Sequence, residues 1–168
     1  MKQTEFEKDK ILVIGPPGAG KSRFAKKLSE LLSLPVVHLD NLLYRKDKTR
    51  REEGFQNDLD SLLFGDPCII DGHHFPSLEK RLQHARVVYF LDFEQEECKQ
   101  GRRERQGILG EDRPFVLGEE DEAEFSLWWE LYQKQRRQQT IELLQKHPEI
   151  EVIEFHNRKE VDSYLEDF

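Results

Sequence analysis

The sequence predicts a three-layer α/β domain, a parallel sheet covered by helices on both faces. Three observations predict it. Short β-branched runs alternate with segments of helical period along nearly the whole chain. The first such run opens directly into a glycine-rich turn that leads to a helical segment. The length, 168 residues, suits one domain spanning 1–168.

In chain order, Ile11-Leu12-Val13-Ile14 reads as a strand buried on both faces, ended by Gly15-Pro16-Pro17-Gly18. Phe24, Leu28 and Leu32 then recur every four residues, with Ala25 and Leu31 beside them, which predicts a helix from about Lys21 to Leu32 that Pro35 stops. Val36 to Leu39, Cys68 to Ile70, Arg86 to Leu91 and Val152 to Phe155 read as four further strands. Between and after them, helices are expected over Glu52 to Phe64, Leu78 to His84, Gln95 to Arg105, Ala123 to Lys146 and Lys159 to Asp167. Gly107 to Asp121 carries three glycines and little period, so a lid is expected at about 106–122.

Composition excludes several classes. Hydrophobic residues make up 36% of the chain and 11 Phe add bulk, enough for a core, so disorder throughout is excluded. No apolar run approaches the ~20 residues a membrane span needs, and the opening stretch MKQTEFEKDK lacks an apolar leader core. A cytoplasmic protein is the expectation. The net charge of −8 disfavours a broad nucleic-acid or anionic-membrane surface, so any anion site must be local. Cys68 and Cys98 lie in different elements without metal-like spacing, and neither disulfide nor zinc is expected.

The strongest chemical signal is Gly15-Pro16-Pro17-Gly18-Ala19-Gly20-Lys21-Ser22, which fits G-x-x-x-x-G-K-[ST] between a strand and a helix. Glycines let the backbone curl so that its N–H groups face phosphate oxygens, and the helix adds its positive N-terminal end. Lys21 is expected at the β- and γ-phosphates and Ser22 on Mg²⁺. Asp71 ends the strand Cys68-Ile69-Ile70 where such sheets bind ligands; it suits a carboxylate that orients the metal, or a turn former with Gly72. Asp40 follows another strand, placed to accept a proton from a hydroxyl acceptor or to cap the turn at Asn41.

Arginines cluster at Arg102, Arg103, Arg105, Arg113, Arg136 and Arg137 in an otherwise acidic chain. Guanidinium groups stabilise the charge of a transferring phosphoryl. Positions 102, 103 and 105 face different sides of one helix, so only one or two of the cluster are expected to reach a phosphate. Phe125, Trp129 and Tyr132 share a helix face and read as core, with an acceptor-stacking wall as the other reading. His73 and His74 read as polar surface or as groups touching the acceptor, and the loop His156-Asn157-Arg158 has room for a nucleotide base.

The runs ILVIGPPGAGKSRFAKKLSELLSLPVVHLDNLL, CIIDGHHF, RVVYFLDF, GRRER, FSLWWELYQKQRR and VIEFHNRKEVDSYL together resemble the adenylate-kinase-like P-loop proteins, and among them the DNA topology modulation proteins. The resemblance covers about Ile11 to Leu165. It implies a P-loop NTPase fold with a five-stranded parallel sheet of order 2-3-1-4-5, ATP with Mg²⁺, and a lid carrying arginines. Carried over, Gly15 to Ser22 hold phosphates, Asp71 supports the metal, Asp40 meets the acceptor, and Arg102, Arg103, Arg105 or Arg113 close over the transferred group. Two departures matter. Arg23 stands where similar proteins have Thr, adding a charge near the cofactor site, and Asp71-Gly72-His73-His74-Phe75-Pro76 lacks the arginine that holds a monophosphate in adenylate kinases. The implied activity is an ATP- and Mg²⁺-dependent small-molecule kinase of open acceptor, with a regulatory or DNA-associated ATPase as the alternative.

Overall fold

The computed structural model describes residues 8–168; most of the opening stretch read for a leader, residues 1–7, lies outside them. Five strands, β1 (Lys10–Ile14), β2 (Val36–His38), β3 (Ile69–Asp71), β4 (Ala85–Leu91) and β5 (Glu151–Phe155), form one parallel sheet of order β2-β3-β1-β4-β5. The register pairs Val13 with Asp71 on one side and with Tyr89 on the other. β1 is therefore central and fully buried, as its unbroken apolar run requires, whereas β2 and β5 are edges and only partly buried.

Alternation along the central strands builds two cores. Ile11, Val13, Ile69, Tyr89 and Leu91 point to one face, with Phe24 and Leu28 from α1 (Lys21–Leu32). Leu12, Ile14, Ile70, Val88 and Phe90 point to the other, with Leu39 and Leu43 from α2 (Leu39–Leu43), Phe55, Leu59 and Leu63 from α3 (Glu52–Leu63), and Leu78 and Leu82 from α4 (Phe75–Leu82).

Three expectations need adjustment. The second strand stops at His38, because Leu39 already begins the short α2. α4 starts at Phe75, three residues earlier than its period indicates, since Pro76 is favourable in a first helical turn. The long helix after the lid is three pieces: α6 (Glu122–Leu131), a π-helical turn (Tyr132–Arg136) and α7 (Arg137–Gln145). The segment between α5 (Gln95–Arg105) and α6 is an irregular loop tied at its base by a bond from Gly107 N–H to the Leu117 carbonyl, 2.8 Å, and it ends in a 3₁₀ turn over Glu119–Asp121. α8 (Arg158–Glu166) closes the chain. Cys68 and Cys98 are buried free thiols.

Candidate functional site

The order of the sheet reverses about β1, whose neighbours β3 and β4 are reached by connections leaving in opposite directions, and a crevice opens at its carboxyl end. The loop Gly15–Gly20 fills that point. Gly15 has φ 148° and sits against the Leu91 backbone, and Gly18 has φ 83° and packs on the Cys98 carbonyl, so side chains are excluded at both by conformation and by space. The loop is held from outside as well. The Trp129 indole N–H donates to the Pro17 carbonyl (3.2 Å), Ala19 is buried, and Gly20 leads into α1. His73 braces it from below, its Nδ1 accepting from Gly15 N–H at 3.2 Å. That bond fixes the tautomer. Nδ1 must carry the lone pair, so Nε2 carries the hydrogen and faces Thr140 Oγ1 at 3.3 Å, while the Thr140 hydroxyl donates to the Arg136 carbonyl at 2.6 Å. Burial, with Lys21 and Arg81 nearby, pushes the His73 pKa well down and keeps the ring neutral.

Lys21 lies across the loop, its Nζ donating to the Pro16 carbonyl at 2.9 Å. Burial lowers its pKa against the opposing fields of Asp71 and Asp40. Ser22 Oγ is 2.6 Å from Asp71 Oδ2 and 3.2 Å from Asp112 Oδ2, so two carboxylates share one hydroxyl proton. Asp71 Oδ2 also bonds His38 Nδ1 at 2.6 Å; burial opposes the charged ring, but the Asp71 bond and the charges of Asp71, Asp112 and Asp40 together outweigh it and raise the His38 pKa. Asp71 Oδ1 is buried without a partner. An all-oxygen donor set with more lone pairs than protons, including an orphaned carboxylate oxygen, fits a hard divalent cation.

The loop before α6 reaches this centre through Asp112, which sequence reasoning missed. Arg105 Nη2 bonds Asp112 Oδ1 at 2.6 Å and Arg113 Nη2 bonds Oδ2 at 3.1 Å. Burial raises the Asp112 carboxyl pKa, but the two guanidinium groups more than offset that and hold it well below the usual range. The only sequence signal was an acid beside Arg113 in a glycine-bearing loop.

A cavity of about 410 Å³ extends from the phosphate loop past Asp40 toward α6 and the π turn. Asp40, half-buried where it lines this space, has its pKa raised by burial, with Arg113 and Lys21 pulling the other way. Arg102 also lines the cavity; it is 5% exposed, lies over the Phe125 ring, and has one buried nitrogen, Nη1, without a partner. Gly15, Pro17, Gly18, Gly20, Lys21, Ser22, Asp40, Asp71, Arg102, Arg105 and Arg113 thus converge on one space, with Pro16 and Ala19 buried in the loop behind.

Other residues go elsewhere. Arg103 is exposed on the side of α5 away from the cavity. Arg23 lines a separate hollow of about 110 Å³ beside Gly18, Gly101, Arg158 and Val161. Asn157 caps α8, its Oδ1 accepting from Glu160 N–H at 2.9 Å, and does not line that hollow. Phe125, Trp129 and Tyr132 are buried core, and Phe125 and Tyr132 also line the cavity, as does Trp128, which is 39% exposed. Arg137 is spent on a paired contact with buried Asp92. His74 does line the cavity, while its ring bonds Ser77 Oγ at 2.8 Å and packs edge-on against Phe55.

Solved structures share this fold at low identity. A shikimate kinase from Bacteroides thetaiotaomicron is similar over 94% of this chain and 94% of its own, at 18% identity and a TM-score of 0.60. The YorR protein of Bacillus subtilis, in complex with phosphorylated GDP, matches over 94% of this chain and 92% of its own at 18% identity and TM-score 0.57. A sugar kinase from Janibacter sp. HTCC2649 matches over 94% and 90% at 16% identity and TM-score 0.54. No family model matches the sequence, and no curated protein does. Sheet order and these likenesses together show that the chain has the P-loop kinase fold.

Proposed function

We propose that the protein is a Mg²⁺- and ATP-dependent small-molecule kinase that transfers the γ-phosphoryl group of ATP to a hydroxyl. The observation that carries this reading is the Ser22–Asp71 contact of 2.6 Å with Asp71 Oδ1 left unpartnered, set beside Lys21 at the start of α1. Ser22 and Asp71 would hold Mg²⁺, which supplies positive charge to the phosphate oxygens. Backbone N–H groups of Gly18, Gly20, Lys21 and Ser22 and the Lys21 side chain take the β- and γ-phosphates, and Arg23 and Arg158 flank the hollow that suits the base. Arg105, Arg113 and the unpartnered Nη1 of Arg102 face the transferred group from the loop and α5. Residues 106–122 act as the lid, and residues 1–168 work as one unit.

Asp40 orients the acceptor. As the acceptor oxygen bonds to the γ-phosphorus, the bond from that phosphorus to the β,γ-bridging oxygen breaks, ADP leaves with the electron pair, and the hydroxyl proton passes to Asp40. The burial that raises the Asp40 pKa makes it a better proton acceptor than an exposed carboxylate. Within the fold, the motif pattern supports membership of the DNA topology modulation group of adenylate-kinase-like proteins. The test is transfer of labelled γ-phosphate from Mg-ATP to pooled nucleotides, nucleosides, sugars and hydroxy acids. A labelled product that disappears in Lys21→Ala is the expected result; acceptor-independent release of phosphate alone would favour a regulatory ATPase.

A further inference from the structure

We infer that Trp129 is a positioning residue for the phosphate loop: its indole N–H, carried on the helix that follows the lid, holds the Pro17 carbonyl turned away from the space where phosphates bind. This role rests on the kinase reading and specifies what keeps its loop competent.

The first half of the loop has no N–H to offer an anion. Pro16 and Pro17 lack one, and the Gly15 N–H is already bonded to His73 Nδ1 at 3.2 Å. That half presents carbonyl oxygens instead, whose partial negative charge repels a phosphate whenever they turn toward it. Both are tied back in this structure. The Pro16 carbonyl accepts from Lys21 Nζ at 2.9 Å and from the Ala19 N–H at 3.4 Å, and the Pro17 carbonyl accepts from Trp129 Nε1 at 3.2 Å. The two side-chain ties differ in what nucleotide does to them. Lys21 is the group that moves to the β- and γ-phosphates, so its bond to Pro16 is given up on binding. Trp129 is 4% exposed and, unlike Phe125 and Tyr132 beside it, does not line the cavity, so its bond is kept. Pro17 itself lines the cavity, and a turned carbonyl there would point at the ligand.

Trp129 belongs to a continuous wall. Its ring meets Tyr132 edge to face at 5.5 Å, Tyr132 meets His73 edge to face at 5.6 Å, and His73 Nε2 faces Thr140 on α7. The run from α6 through the π turn to α7 therefore grips the donor-poor half of the loop at both ends, at Gly15 through His73 and at Pro17 through Trp129. α6 begins at Glu122, where the lid ends, about two turns before Trp129. One helix thus joins the lid to Pro17. Without the indole N–H the Pro17 peptide is free to rotate, and affinity falls by the fraction of loops still in the competent form.

The test titrates Mg-ADP calorimetrically into the full chain and three altered forms of it. Trp129→Phe keeps an aromatic ring in the wall and removes the N–H. Replacement of Trp129 by 3-benzothienylalanine, which has the shape of tryptophan with sulfur in place of the N–H, removes the donor without leaving a cavity. Tyr164→Phe is the control: it deletes the 2.8 Å hydroxyl contact between Tyr89 and Tyr164 in the same core and touches nothing in the loop. Both forms altered at Trp129 are expected to bind Mg-ADP about tenfold more weakly, the effect of losing one buried hydrogen bond. Tyr164→Phe is expected to lower the denaturant midpoint and bind Mg-ADP as the unaltered chain does. Unchanged affinity in the 3-benzothienylalanine form overturns the inference, as does an equal loss in Tyr164→Phe. Phosphoryl transfer separates this role from the reading beneath it. If Mg-ADP binds, weakens with loss of the indole N–H, and no acceptor is phosphorylated, the kinase reading alone falls. If transfer is seen and affinity ignores the indole N–H, only the role of Trp129 falls; an unaltered chain that binds no Mg-ADP overturns both.

Discussion

Asp112 occupies the position a phosphate oxygen would seek. Its two oxygens take bonds from Arg105 and Arg113 and stand 3.2 Å from Ser22 Oγ, so the carboxylate satisfies arginines that a γ-phosphate would otherwise engage. Neutralising it removes a competing anion. Asp112→Asn is expected to tighten Mg-ATP binding about tenfold, the worth of one charge-assisted contact, and to change ADP affinity far less; calorimetry with both nucleotides checks it, and weaker ATP binding would instead make Asp112 part of the metal site. Histidine protonation gives a second outcome at this scale. The folded pKa of His73 lies well below its ordinary 6.5 and that of His74 is pulled to about 4, in both cases chiefly by burial. The unfolded chain takes up those protons first, so their stabilisation is complete above pH 6.5 and is lost as pH falls toward the folded values. His38, whose pKa is raised, is protonated in both states below 6.5 and adds no slope there. Urea titrations between pH 6.5 and 4.5 should show a fall of about 2 kcal/mol from these two rings, discounted for the half-exposed His74, and His73→Gln should flatten it.

At the scale of elements, the loop after β3 depends on a side chain from the following helix. Arg81, fully buried on α4, donates to the carbonyls of Gly72, His73 and His74 and to Ser77 Oγ, and so fixes the residues that brace the phosphate loop. Arg81→Met would leave those carbonyls in an apolar interior. It is expected to cost about 3 kcal/mol or more, read as a lower denaturant midpoint with a proportionately larger loss of nucleotide binding. The π turn has a comparable role on the other wall. Its extra residue per turn offsets the helix register, so that Tyr132 is buried, Arg136 lies over Phe75, and Arg137 reaches Asp92. An uninterrupted helix over Ala123–Lys146, the expectation from period, would not combine those three contacts.

For the whole molecule, net charge bears on the competing DNA-associated function. A chain at −8 repels duplex DNA beyond a local patch, and no helix among the described residues is long and apolar enough to cross a membrane. The protein is expected to show no retention by duplex DNA at physiological salt, as measured by mobility shift; binding with a steep salt dependence would restore the alternative. Nucleotide should couple to global stability instead. At about 100 times its dissociation constant, Mg-ATP should stabilise the chain by about 2.7 kcal/mol, seen as a raised thermal midpoint that Lys21→Ala abolishes.

The strands, their alternation with helices and the phosphate loop were legible in the sequence because local rules specify them: period, β-branching, and a glycine pattern that only a strand-to-helix turn uses. Lys21, Ser22 and Asp71 could be named because each stands at a fixed offset from such an element. His38, Asp112 and Arg81 had no such offset, since their partners lie far along the chain, as Asp112 does from Ser22, or depend on which face of a helix turns inward. Local sequence thus determined the frame and the phosphate-binding end of the site. Tertiary packing alone decided which carboxylates meet at Ser22, which arginines enter the cavity and which, like Arg103, face solvent, because long-range contacts and helix rotation are set by how the whole core closes.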